Sequence, residues 1–70
     1  MYILKKTQDF KITLKAARVN KNLTQKQVSK ILKISKHTLL NWENGKIQPS
    51  YIAIIALGHL YDIDINNFKL

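Results

Sequence analysis

The chain has no cysteine, one proline, two glycines and only four acidic residues among 70. Without thiols there is neither a disulfide framework nor a thiolate metal site, the usual staples of small secreted domains. The core must come from packing alone, and a hydrophobic content of 46% suffices for one modest core in a chain too short for a second domain. No apolar run approaches the roughly 20 residues that span a bilayer. Near the N-terminus Tyr2-Ile3-Leu4 precedes Lys5-Lys6, the reverse of a secretory leader's order, and no small-residue cleavage site follows, so a cytoplasmic protein is expected. Catalytic material is equally scarce: there is no Gly-rich phosphate loop, no acidic cluster for a metal, and no nucleophile with a recognisable histidine partner. The two isolated histidines, His37 and His59, lack the thiolate or carboxylate company of a metal site. The expectation is a non-enzyme without cofactor or metal.

What the chain does have is positive charge: 12 Lys and Arg, for a formal net charge of +8. Residues 1 to 46 carry eleven positive side chains against Asp9 and Glu43, a net of +9, whereas residues 47 to 70 carry Lys69 against Asp62 and Asp64, a net of −1. The first two thirds suit a polyanion. The last third, with Ile52, Ile54, Ile55, Leu57, Leu60 and Ile63, suits other protein. The bland alternative is that the lysines are solvated helix faces and the Ile, Asn and Lys usage reflects an AT-rich genome.

Helical signals follow one another closely. Ile12 to Asn20 places Leu14, Ala17 and Arg18 within one helical repeat, and Asn22 suits a left-handed residue past the end. Thr24-Gln25-Lys26-Gln27 has the form of a capping box and starts a second helix. There Val28, Ile31 and Leu32 make the apolar stripe, with Lys26, Ser29 and Lys30 elsewhere on the cylinder. After Lys33-Ile34, Ser35 is an N-cap for a third helix over 36–44, in which Leu39 and Trp42 face inward and Lys36, His37, Leu40, Asn41 and Asn44 form the outward set. Gly45 supplies positive φ. Ser50 caps a fourth helix, Tyr51 to Tyr61, with two apolar stripes: Tyr51, Ile54, Leu57, Gly58 and Tyr61, and then Ile52, Ile55, Ala56 and Leu60 beside His59. One small domain cannot cover both. Asp64 caps a last turn ending at Phe68. The count is five helices and no sheet, over a domain 12–70 preceded by an arm 1–11 whose Tyr2-Ile3-Leu4 is either strand-like or frayed.

A capped helix, a very short turn and a polar-faced helix ending in Glu-Asn-Gly form a helix-turn-helix pattern, about residues 25–44, whose second helix enters the DNA major groove. Thr24-Gln25-x-x-Val28-Ser29, then Ile34-Ser35-x-x-x-Leu39-x-x-Trp42-Glu43-Asn44-Gly45-x-x-x-Pro49-Ser50, resembles the DNA-binding domain of phage Cro and cI-type repressors and of the xenobiotic-response-element family of bacterial regulators. The likeness runs from about Leu14 to Phe68. It implies an all-α, five-helix, lambda-repressor-like fold. Gln25 is implied to grip a phosphate and brace the recognition helix, helped by its helix N-terminus.

By the same likeness Lys36, His37 and Asn41 read base edges, which fits the donors of Lys for guanine, the bidentate amide of Asn for adenine and the tautomers of His. Ser35 and Thr38 would add phosphate or base-edge contacts, and Asn44, Gly45 and Lys46 would present amides and a cation to the other strand. Ser35 also reads as only a cap, Asn44 as only a helix end, and His37 as a solvated side chain. His59 reads as structural or interfacial, and Trp42 as core. Arg18 and Glu43 are implied to pair between helices one and three. The sequence departs from the pattern at Lys33, where Gly is frequent, and at Ser29, Gly58 and Asp62.

The function expected is sequence-specific binding of double-stranded DNA by a transcriptional regulator, with repression the expected sign, as a homodimer joined through Ile52, Ile55 and Leu60 on a palindromic operator. Two other readings remain: a protein-interaction module of anti-repressor or antitoxin kind, bound to a regulatory protein partner, and a non-specific nucleoid or RNA binder.

Overall fold

The computed structural model describes residues 10 to 70; the arm's residues 1–9, including Tyr2-Ile3-Leu4, lie outside the described residues. In chain order come β1 (Ile12–Thr13), α1 (Leu14–Asn20), α2 (Gln25–Leu32), α3 (Lys36–Glu43), α4 (Tyr51–Tyr61), a 3-10 turn (Ile65–Asn67) and β2 (Phe68–Lys69). Each α-helix begins where a hydroxyl replaces a missing carbonyl. Thr13, Thr24, Ser35 and Ser50 accept the backbone amides of Ala16, Gln27, Thr38 and Ala53 at 2.9–3.1 Å, contacts each worth about 1 kcal/mol. At Thr24 the box is reciprocal, since Gln27 Oε1 accepts the Thr24 amide at 2.8 Å.

Helix ends are set by left-handed residues: Asn22, Lys33, Gly45 and Asp62 all have φ between 58° and 79°. Lys33 therefore adopts the backbone that glycine would supply without strain, at a cost of roughly 1 kcal/mol. The left-handed turn lets Ile34 N donate to Ser29 O at 3.0 Å, so α2 closes and only Lys33, Ile34 and Ser35 separate it from α3.

The fold is helical as expected, but it has four α-helices rather than five, and a small sheet where none was expected. The fifth element is a 3-10 turn because Asp64 Oδ1 binds the Asn66 amide at 2.9 Å, and the chain is already extended again at Phe68. Helix one starts at Leu14, not Ile12, since capping holds Thr13 extended with ψ 159°. The extended residues on either side then pair in parallel, Ile12 with Phe68 and Thr13 with Lys69. Asn67 Nδ2 donates to Phe10 O at 2.6 Å and Lys11 Nζ to Asn66 O at 2.8 Å, fastening the start of the described chain to its end.

Ile12, Leu14, Ala17, Val28, Leu39, Leu57, Tyr61 and Phe68 form the core. In α2 the stripe is rotated from expectation: Ile31 is 54% exposed while Ser29 is buried. Val28, Ser29 and Leu32 span one narrow arc, and the Ser29 hydroxyl is satisfied by Lys26 O at 3.1 Å, so a small polar residue fits where helices approach closely. In α4, Leu57, Gly58 and Tyr61 are buried, but Tyr51 is exposed rather than part of the inner stripe. Gly58 is required by closeness: a Cβ there would stand 2.9 Å from Ile63 O and from Ile65 Cγ2. None of the described helices is long and apolar enough to cross a membrane.

Candidate nucleic-acid interface

Three helices converge on one carboxylate. Arg18 of α1 donates from Nε to Glu43 Oε2 at 2.7 Å and from Nη2 to Oε1 at 3.1 Å. Its Nη1 donates to Leu23 O at 2.9 Å. Gln25, the first residue of α2, adds Nε2 to Glu43 Oε1 at 3.0 Å. The Glu43 side chain is only 3% exposed, so its charge is carried by hydrogen bonds rather than by water. The hydrogen bond to Glu43 raises the Arg18 guanidinium above its already high value, against the opposing effect of burial. Since Glu43 is the last residue of α3, the brace fixes the far end of that helix relative to α1 and α2.

Leu39 fixes the middle: it is fully buried, and Trp42 and Ile34 pack against the same core. The opposite face of α3 is wet. Lys36, His37 and Leu40 are exposed, and Thr38 and Asn41 half-buried. Ser35 Oγ and Thr38 Oγ1 lie 2.9 Å apart and share a hydrogen bond, while Ser35 also caps. Beyond the helix, Asn44 and Lys46 are exposed; the Asn44 Oδ1 accepts the Lys46 amide at 3.2 Å, and Asn41 O accepts the amides of Lys46 and Ile47. This loop is ordered by its own backbone, leaving the Lys46 ammonium outward.

Gln25 and Lys36 line one groove together with Arg18, Asn22, Thr24 and Lys26. Lys26 was not singled out by the sequence, although its place just inside a capped helix start was a signal for a cation beside exposed amides. On α4, Ile52 is 78% exposed and lines a groove with Ile34 and Trp42, and Ile55 is exposed, as is His59. Leu60 is half-buried and packs against the domain's own core, so it is shared between inside and outside.

Tyr61 is buried beside this brace, and its hydroxyl has no hydrogen-bond partner among the described residues. Desolvation first, and then the Glu43 charge, push its pKa up to about 12 from 10.0, with Arg18 pulling the other way. A raised folded-state pKa favours the native state below the unfolded value and loses that advantage as pH climbs through the folded one. Wild type should therefore shed about 2 kcal/mol between pH 10 and 12 through this group. Tyr61→Phe lacks that loss and, by deleting an unsatisfied hydroxyl, should be neutral to about 1 kcal/mol more stable at pH 7. Urea denaturation of both proteins at neutral and alkaline pH checks this, and parallel alkaline losses would contradict it.

A helix braced from behind, exposing a polar face after a three-residue turn, is the architecture of a helix-turn-helix reader of duplex DNA. Over residues 12–69 the sequence matches the family model described as a helix-turn-helix domain, and the chain belongs to that family. The membership agrees with the likeness to Cro and cI-type domains and makes DNA binding in transcription regulation its class of function. No curated protein and no solved structure matches the chain.

Proposed function

We propose that the protein is a sequence-specific repressor that binds a palindromic operator as a homodimer, with α3 in the major groove. The carrying observation is the two-sidedness of α3: Leu39, Trp42 and Glu43 hold it from within while Lys36, His37 and Asn41 are left facing out or to the side. These three supply the donors and the bidentate amide that base edges require. Gln25, Ser35, Thr38, Asn44 and Lys46 surround them and suit phosphate contacts that set register. The Gln25 side chain spends one amide hydrogen on Glu43, which leaves the other and the backbone amide for a phosphate. The concentration of positive charge before residue 47 supports the same orientation.

One recognition helix reads few base pairs, so a second copy is needed, and the exposed Ile52 and Ile55 face of α4 supports pairing there, with Leu60 at its margin. Half-sites are then about 34 Å apart. Selection of bound sites from random duplex DNA at a fixed near-physiological salt concentration tests the reading. A palindrome should emerge, and Lys36→Ala and Asn41→Ala should each relax preference at one position per half-site, by about 1–3 kcal/mol. Binding without preference would favour a non-specific nucleoid role. No binding would favour the protein-interaction module.

A further inference from the structure

We propose that Leu40 reads the methyl group of a thymine in the operator. This rests on α3 being the recognition helix. Leu40 is 42% exposed and is the only large apolar side chain exposed on α3. It does not belong to the apolar residues packed against the core. Nor does it line the apolar groove formed by Leu32, Ile34, Trp42, Ile52, Ala53 and Ala56, so neither the fold nor that surface accounts for it.

Its neighbours do. Residues three and four apart share a helix face, which sets Leu40 between Lys36 and His37, and helical side chains lean toward the N-terminus. Leu40 therefore covers the first turn of α3, the part of a recognition helix that meets base edges. A leucine there offers neither donor nor acceptor. The apolar feature of the major-groove edge is the thymine C5-methyl, and contact between the two removes both from water. Lys36 and Asn41 on either side read polar base edges, so the leucine adds discrimination at a position that those polar groups do not read.

The test uses the full chain and the duplex recovered by selection, with each thymine replaced in turn by deoxyuridine, which lacks only the methyl. Wild type should lose about fourfold in affinity for each contacted methyl removed, the equivalent of roughly 0.8 kcal/mol, and about fifteenfold when both half-sites are changed. Leu40→Ala should bind thymine and uracil duplexes equally and should keep its helical circular dichroism, since the side chain lies outside the core. Indifference of wild type at every thymine would overturn the proposal. So would a uracil penalty that persists undiminished in Leu40→Ala, because another group would then read the methyl. Failure to recover any preferred sequence would instead remove the recognition-helix reading beneath it, a distinct outcome seen before uracil is introduced.

Discussion

Glu43→Ala is expected to cost about 3–5 kcal/mol of folding stability, because it strands the buried Arg18 guanidinium and takes the acceptor from Gln25. A domain of this size holds on the order of 4–10 kcal/mol in all, so much of the variant should be unfolded at 37 °C. Loss of DNA binding would follow from loss of the fold. Urea titration followed by far-ultraviolet circular dichroism measures the cost directly. A change below about 1 kcal/mol would mean that the carboxylate does not carry the brace.

The size of that effect is not the worth of the ion pair. Two desolvated charges offset most of their mutual attraction, so the intact pair adds little beyond what well-packed apolar residues would. Replacing both partners, Arg18→Met with Glu43→Leu, should accordingly be milder than Glu43→Ala alone. What the pair does supply is geometry. The planar guanidinium meets both carboxylate oxygens, and a fork of this kind tolerates little rotation. Gln25 extends the same restraint to α2, so the position of α3 is fixed against both helices that precede it.

Much of this was legible in the chain because it is local. Thr24 with Gln27, and Ser35 and Ser50, act within one turn of themselves, and Asn22 and Gly45 need only their own backbone. The motif spacing identified the helix-turn-helix for the same reason. What escaped was non-local or decided by a few degrees of rotation. The pairing of Ile12–Thr13 with Phe68–Lys69 joins segments more than fifty residues apart, and two residues carry no periodicity to announce it. Ile31 and Ser29 lie on either side of the Val28 and Leu32 stripe, and composition favoured burying the isoleucine. Packing chose the serine, whose small volume suits close helix approach and whose hydroxyl had a carbonyl within reach. The stranded hydroxyl of Tyr61 depends on tertiary placement that no spacing encodes, whereas the bracing role of Gln25, made through Glu43, was implied by the family likeness.

Leu39 and Leu40 put that distinction to its sharpest use, since composition treats them alike and the structure does not. Leu39 is fully buried, so Leu39→Ala should cost about 2–5 kcal/mol through lost burial and the cavity left behind. Leu40→Ala should stay within about 0.5 kcal/mol of wild type, alanine being an excellent helix former at a position outside the core. Side-by-side urea titrations read both values, and the DNA-binding consequences should be opposite in origin. Leu39→Ala loses affinity in proportion to its unfolded fraction and regains it under stabilising osmolyte. Leu40→Ala loses the thymine contact and the discrimination it gives, with no unfolding to reverse. Comparable costs at the two positions would mean that α3 is rotated about its axis from the orientation described, and Lys36, His37 and Asn41 would then no longer share the face that enters the groove.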